Sequence, residues 1–157
     1  MSKQDSIKTI EEKLNETLSG DLLKNTLDFV AFLKDCGMTY DNDNRFFYMG
    51  AYTYILIFFK DANNPEGILC ICDCPIREHE SFPIDESVKE YVWANVKKCK
   101  NCGCDDKMRG ATKAIFGKEF DNLCSSEVTF INPDTESFEK IKTLMELWKY
   151  IIADSKK

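Results

Sequence analysis

Two amphipathic patterns open the chain and predict two helices. The first repeats apolar residues at three- and four-residue steps, so we expect a short helix that ends at Gly20 and has Asp5 or Ser6 as its N-cap. This helix is expected to pack loosely. The second pattern predicts a longer, buried helix over residues 21–36, with Gly37 as its stop. The apolar positions are Ile7, Ile10, Leu14 and Leu18 in the first helix, and Leu23, Leu27, Phe29, Val30, Phe32 and Leu33 in the second.

Aromatic and β-branched residues become dense after residue 44 and indicate strands rather than helices. We expect residues 45–48, 52–60 and 68–73 to form three strands of an antiparallel meander. Gly50 marks the first turn, and an Asn-Asn-Pro-Glu-Gly cluster that ends at Gly67 marks the second. The middle of the chain is therefore expected to supply much of a sheet.

Two further helices are indicated in the second half of the chain. Asp85 is placed to cap the first of them, and Cys99 is expected to emerge from its last turn. Pro133 opens the final helix, since proline is favoured at the first helical position. The apolar positions of the final helix recur at three- and four-residue steps, and they are Phe138, Ile141, Met145, Trp148 and Ile152.

The segments between these helices complete the prediction of the fold. Residues 111–116 and 127–131 are expected to be two more strands, joined through Gly117 and a connecting segment over residues 120–126. The order of elements indicates an α+β fold with a mainly antiparallel sheet of about five strands packed against helices on one face. We expect residues 1–157 to form a single domain.

Composition and charge narrow the class of protein. The chain has 157 residues, 43% of them hydrophobic and 12% aromatic, which is typical of a globular domain with a sizeable core. A formal charge of −6 disfavours nucleic acid as a partner, because such binding neutralises phosphates with Lys and Arg. The longest apolar run is strand-sized, well short of the ~20 residues that span a bilayer, and the chain begins without an apolar signal region. We therefore expect a cytoplasmic protein with no membrane partner.

Four cysteines in the second half of the chain suggest a metal site. Cys99 and Cys102 have the Cys-x-x-Cys spacing of a zinc knuckle, in which a tight turn directs two thiolates at one ion. Cys124 is the expected third ligand and Cys104 the expected fourth. Eight cysteines in a chain without an export signal favour metal ligands or reduced thiols over disulfides. We expect a structural zinc ion as the cofactor.

Two other interpretations of these thiols stay open. Lys97, Lys98 and Lys100 flank Cys99 and Cys102, and nearby cations lower the pKa of a thiol, so a redox enzyme or redox sensor is the first alternative. The second is that the thiols are inert buried side chains, as free cysteines often are. An iron–sulfur cluster is disfavoured because the spacing matches neither usual ferredoxin pattern.

Cys70, Cys72 and Cys74 form a second group, which shares one face of a predicted strand because side chains alternate along a strand. Thiols spaced by steps of about 7 Å cannot close around one small ion, so we expect small buried side chains. Cys72 or Cys74 is an alternative fourth ligand if Cys104 points away. The single histidine, His79, lies in a charged segment and is expected to be solvated.

No complete catalytic set is visible in the sequence. A cysteine nucleophile needs a base, and no pattern brings His79 to a thiol. Glu119 and Asp121 are expected to be solvated turn residues. We therefore expect a module that binds a small molecule or a protein. Its ligand cleft is expected to be lined by aromatic residues, namely Tyr52, Tyr54, Phe58, Tyr91 and Trp93.

Three segments carry a resemblance to known proteins. Residues 95–104, the Gly-Lys-Glu-Phe-Asp-Asn-Leu-Cys motif at 117–124 and the Phe-Ile-Asn-Pro-Asp motif at 130–134 resemble a group of uncharacterised small proteins from Firmicutes such as clostridia. This resemblance covers roughly the last two-thirds of the chain and implies the cysteine site without an activity. The order of helix, aromatic meander, late strand and proline-led final helix also resembles YdhG-like proteins, whose fold is similar to that of frataxin. That likeness implies topology alone.

Overall fold

The structure, a computed structural model, describes residues 8–73, 82–99 and 110–155; for Tyr52, Asp73 and residues 124–127 it describes the backbone alone. These ranges contain four helices and seven strands. The helices are α1 (Ile10–Thr17), α2 (Gly20–Asp35), α3 (Glu86–Ala94) and α4 (Thr135–Ser155). The strands are β1 (Thr39–Tyr40), β2 (Arg45–Tyr48), β3 (Ala51–Asp61), β4 (Asn64–Asp73), β5 (Val96–Lys98), β6 (Ala111–Ile115) and β7 (Lys118–Ile131).

One antiparallel sheet contains all seven strands. Its order is β1-β2-β3-β4-β7-β5, and β6 also pairs with β7. The prediction of an α+β fold with an antiparallel sheet is confirmed. The predicted number of about five strands is wrong, because β1 and β5 add two strands of only two and three residues. Segments that short show no periodic pattern in a sequence.

The two faces of the sheet differ sharply in their surroundings. Alternate side chains of β3, β4 and β7 point to the helices, and together with the buried side chains of all four helices they form one hydrophobic cluster. We call the opposite side the outer face, and it carries several exposed apolar side chains. The inward residues of these strands include Tyr54, Leu56, Leu69, Ile71, Val128 and Phe130.

The first helix begins later and ends earlier than predicted, and it packs more closely. It ends at Thr17, and Gly20, which was expected to end it, is instead the first residue of α2. Thr9, rather than Asp5 or Ser6, is the N-cap of α1, and its hydroxyl accepts a hydrogen bond from the Glu12 N–H at 3.1 Å. Asp5 and Ser6 lie outside the described residues. The side chains of α1 at Ile10 and Leu14 are fully buried, so the helix is part of the core instead of a loosely packed segment.

An ion pair between Glu11 and Lys34 joins α1 to α2. The hydrogen bond from Lys34 lowers the pKa of Glu11 below its ordinary value of 4.5, and the same bond raises the pKa of Lys34. Because the pKa of Glu11 is lower in the folded state, its stabilisation is present above pH 4.5 and is lost as the pH falls through the folded pKa. The raised pKa of Lys34 adds stabilisation that is lost only as the pH rises through the folded pKa above 10.5.

The variant Lys34→Gln tests this pair. Both side chains are more than a third exposed, so we expect a loss of only about 0.2–0.5 kcal/mol in the free energy of unfolding at neutral pH. The difference from the parent should vanish when the pH is well below the folded pKa of Glu11. Urea unfolding at the two pH values measures this, and Lys24→Gln, on the same helix, serves as the control. An equal loss at both pH values would contradict the ion-pair explanation.

The central meander has the predicted first turn and a different second one. Tyr48 pairs with Ala51 across Met49 and Gly50, which both have positive φ (50° and 82°), as a two-residue type I′ hairpin requires. The prediction that β4 begins at residue 68 is wrong. Asp61 pairs with Asn64, so the turn is short and β4 already includes the Pro-Glu-Gly sequence expected to lie in a loop.

The late strand β7 is longer than expected. Residues 120–126, predicted as a connector, lie within it. Leu123 pairs with Lys98 of β5 and with Ala111 of β6, so β7 is paired on both edges at this point. Pairing on both sides outweighs the low strand propensity of Asp121 and Asn122. Asn122 retains a positive φ of 49°, and the register of β5 and β6 against β7 shifts nearby.

The third helix ends earlier than the sequence pattern indicated. Asp85 is its N-cap, although its side chain makes no capping hydrogen bond. The helix stops at Ala94, and the chain then enters β5. The prediction that Cys99 emerges from the last helical turn is therefore wrong, since Cys99 directly follows a strand.

The apolar pattern of the final helix is confirmed, but the prediction that Pro133 is its first residue is wrong. The helix begins at Thr135, and Asp134 caps it by accepting a hydrogen bond from the Ser137 N–H at 2.8 Å. All five of its predicted apolar positions are buried. Within the described ranges, none of the helices combines the length and apolar character that crossing a membrane requires.

Candidate functional site

Cys99 is fixed to β7 by its backbone. Its N–H donates to the carbonyl oxygen of Asn122 at 2.7 Å, and its own carbonyl accepts from the Asn122 side-chain amide at 3.1 Å. The two bonds extend the β5–β7 pairing by one residue. The backbone of Cys99 therefore lies beside β7 two residues before Cys124 in the sequence.

Lys98 strengthens the same junction. Its ammonium lies 2.8 Å from a carboxylate oxygen of Asp121 and 2.6 Å from the carbonyl oxygen of that residue. This hydrogen bond lowers the pKa of the Asp121 carboxyl. The positive charge of Lys98 is thus paired with a carboxylate, which weakens the effect that it can have on a neighbouring thiol.

The segment over residues 100–109 starts and ends beside one point of β7. On its leading side, Lys98 pairs with Leu123. On its trailing side, the Gly110 N–H donates to the Leu123 carbonyl at 2.6 Å, and Ala111 pairs with Leu123. The two ends reach opposite edges of the strand at one residue, and Cys124 is the next residue along.

Of the four predicted zinc ligands, the structure describes one in full, one by its backbone alone and two not at all. Cys99 is half-buried at the end of β5, and the backbone of Cys124 lies in β7. The side chain of Cys124 is not described, and Cys102 and Cys104 lie outside the described residues. Among the residues whose side chains are described, no three His, Cys, Asp or Glu side chains gather in a metal-binding arrangement.

Cys70 and Cys72 lie on the outer face of the sheet. Cys70 is half-buried and Cys72 is buried, and each is paired on both sides, by Ile57 and Ile131 for Cys70 and by Ile55 and Thr129 for Cys72. Burial raises the pKa of the Cys70 thiol, nearby Cys72 raises it further, and the Lys97 ammonium opposes both effects. A raised pKa leaves less reactive thiolate at neutral pH. Cys74 and His79 lie outside the described residues.

The aromatic residues predicted to line a ligand cleft pack largely with the core. Tyr54 is fully buried, and Phe58 is half-buried against the core cluster. Tyr91 stacks on Phe130 with ring centroids 5.0 Å apart, and the Trp93 indole N–H donates to the Ile115 carbonyl at 2.7 Å. The side chain of Tyr52 is not described. We therefore correct the expectation for Tyr54, whose ring is fully buried, whereas Tyr91 is half-buried and its place in a cleft stays a prediction.

Sequence reasoning missed a groove of about 520 Å³ on the outer face. It lies where β3, β4, β5 and β7 meet. The sequence of β3 contains a sign of this groove. Ile55, Ile57 and Phe59 alternate with inward apolar residues, so both faces of the strand are apolar. Such a strand is typical of a sheet that is covered on both sides. The groove is lined by Ile57, Cys70, Cys72, Asn95, Val96, Lys97, Lys98, Thr129 and Ile131.

A second cleft, of about 500 Å³, lies between the N-termini of α2 and α4. Several of its polar groups bond to one another. The Glu66 carboxylate accepts from the Leu22 N–H at 3.0 Å, and the Asn25 amide donates to the Thr135 hydroxyl at 3.1 Å. These contacts tie α2 to β4 and to α4, so this cleft is explained by the packing of the fold.

Comparison with known proteins adds no assignment. No protein-family model matches the chain, and no curated protein and no solved structure matches it either.

Proposed function

We propose that this protein is a binding module in which a structural zinc ion, held by Cys99, Cys102, Cys104 and Cys124, pins the segment after β5 to the sheet. One observation supports this proposal above the others. The described residues on either side of the segment that contains Cys102 and Cys104, Lys98 and Ala111, both pair with Leu123 of β7, the residue before Cys124.

The chemistry of the donor set suits zinc. Structural zinc sites are closed and tetrahedral, and four thiolates are one of their usual ligand sets. A ten-residue connection between two edges of one strand is long enough for its thiols to reach that strand, because a chain spans up to about 3.3–3.6 Å per residue. The ion would hold the connection in one conformation, a structural role that requires no catalytic residue.

The test is elemental analysis of the full chain purified without added metal, together with a thiol titration of the folded protein. We expect about one zinc per chain and about four protected thiols. Cys124→Ser should lose the zinc, because a missing ligand opens the site. The control Cys36→Ser changes a half-buried cysteine at the end of α2 and should retain it. A metal-free protein in which Cys99 reacts rapidly would refute the zinc site.

That refuting result would favour the redox alternative at Cys99 and Cys102. Two observations speak against it. The ammonium of Lys98, one of the expected activating charges, is paired with Asp121. A second of these cations, Lys97, lies near Cys70, where burial still leaves the pKa of the thiol raised. Chelation separates the two functions, because a zinc protein loses stability with its metal whereas a redox protein keeps its fold.

A further inference from the structure

The exposed apolar side chains of this protein are concentrated on the outer face. Ile57 (44% exposed) and Ile131 (60%) flank Cys70 in one row across β3, β4 and β7. Phe59 (48%) lies in the next row, paired with Ile68. Three of the five large apolar side chains that are exposed among the described residues therefore share this face. Contiguous apolar surface of this kind marks a binding site in a folded protein.

The lining of the groove is aliphatic. Ile57, Val96 and Ile131 surround the two strand thiols, and the lining contains no aromatic ring and no carboxylate among the described residues. Its polar side chains have partners within the protein, since the Asn95 amide donates to the Tyr91 carbonyl at 2.8 Å and the Thr129 hydroxyl lies 3.9 Å from the Cys72 sulfur. A rigid polar ligand would need several directed hydrogen bonds. This lining suits a flexible aliphatic chain.

One end of the groove is cationic in a protein whose formal charge is −6. Lys97 and Lys98 both line it. The Lys98 ammonium is held by Asp121 at 2.8 Å. Lys97 is exposed, and its ammonium is close enough to the Cys70 thiol to influence the pKa of that group. Among the described residues that line the groove, a negative ligand group at this end would meet lysines and no carboxylate.

We propose that the outer-face groove binds a free medium-chain fatty acid, with its aliphatic chain on Ile57 and Ile131 and its carboxylate on Lys97. The volume of about 520 Å³ lies within the range of roughly 300–1,000 Å³ that is usual for small-molecule sites. The assignment rests on the proposed binding function and names the ligand class, but it does not depend on the zinc ion. Each methylene that enters the groove should tighten binding by about twofold to fourfold.

Calorimetric titration of the full chain with octanoate, decanoate and dodecanoate below their micellar concentrations tests the proposal. We expect saturable binding that strengthens with chain length. Decanol, which has the same chain without the charge, should bind about twofold to fivefold more weakly than decanoate, the range of an exposed ion pair.

Substitutions at exposed positions separate the two parts of the site. Ile131→Ser should weaken decanoate binding about fivefold or more, because it removes most of an apolar side chain from the groove. The matched control Met49→Ser changes a similarly exposed side chain (52%) in the β2–β3 turn and should leave binding unchanged. Lys97→Gln should abolish the preference for decanoate over decanol, while Lys24→Gln, on α2, should not. Thermal melting verifies that each variant is folded.

Several results would overturn the proposal. These are the absence of saturable binding, equal binding by the parent and Ile131→Ser, and equal affinity for decanoate and decanol in the parent. A dimer that Ile131→Ser dissociates would also overturn it, since a second copy would then cover the face. The zinc site is judged separately by metal content. If the purified protein contains no zinc but binds fatty acid, only the zinc site is refuted. If it contains zinc but binds no fatty acid, only the groove assignment is refuted.

Discussion

Replacing Phe130 by alanine is expected to lower the free energy of unfolding by about 3–5 kcal/mol, as for other large side chains truncated in a core. Phe130 is fully buried in β7, where it pairs with Ile71 and stacks on Tyr91 with ring planes 8° apart. Its removal deletes a ring contact and leaves a cavity between the sheet and α3. Urea unfolding monitored by far-UV circular dichroism measures the loss.

The adjacent residue provides the control for this prediction. Ile131 follows Phe130 on the same strand but points to the outer face, where it is 60% exposed. Ile131→Ala should therefore change the free energy of unfolding by less than about 1 kcal/mol. Equal losses for the two variants would contradict the assignment of the two faces of β7.

The second large effect is expected for Gly67→Ala. Gly67 has a φ of +95°, which a side chain rarely adopts, and an added Cβ would lie 2.7 Å from the Leu18 side chain and 3.0 Å from the Thr17 carbonyl oxygen. The Leu18 side chain is itself buried, and the carbonyl belongs to the backbone at the end of α1. Backbone strain and overpacking together should lower the free energy of unfolding by about 2–4 kcal/mol.

Gly50→Ala isolates the part of this loss that is due to backbone strain. Gly50 has a similar φ of +82°, but an added Cβ would meet no atom within 4 Å. Its expected loss is only the conformational cost of about 1–2 kcal/mol. Denaturant midpoints of the two variants give the comparison. A Gly67→Ala variant that is no less stable than Gly50→Ala would contradict the close contact of Gly67 with Thr17 and Leu18.

The parts of the fold that could be predicted are specified by short sequence patterns within each element. The turn at Gly50 is recognisable because a two-residue hairpin requires residues that tolerate positive φ, and Gly117, with a φ of 84°, plays the same part between β6 and β7. The final helix was predictable because its buried residues recur with the helical period. The prediction of one face covered by helices follows from the same patterns.

The parts that were not predictable depend on distant partners. Asp121 and Asn122 resemble a turn, yet they lie within β7 because β5 and β6 pair with that strand from opposite edges. The end of α3 was misplaced for a related reason. Val96 continues the apolar spacing of the helix, but it pairs with Val128 instead, and this contact cannot be recognised from the local pattern.

The candidate site was partly accessible to sequence reasoning. Spacing indicated Cys99 and Cys102 as zinc ligands, and this stays a prediction. The structure itself places the backbone of Cys99 beside β7, the strand that contains Cys124. Aromatic character alone misidentified Tyr54 as a cleft residue, because large rings serve both cores and binding sites. The groove was not predicted because its lining residues come from β3, β4, β5 and β7. These strands are brought together only in the folded sheet.

The position of β7 has a consequence for the synthesis of this protein. The strand belongs to the last third of the chain, yet it pairs with β4, β5 and β6. During synthesis these three strands therefore leave the ribosome before the strand with which they pair. Until then, β4 has an open edge at Cys70–Cys72, beside the apolar residues of the meander. Open apolar edges invite pairing with other chains. A nascent chain paused before Lys118 is therefore expected to be the species most in need of a chaperone.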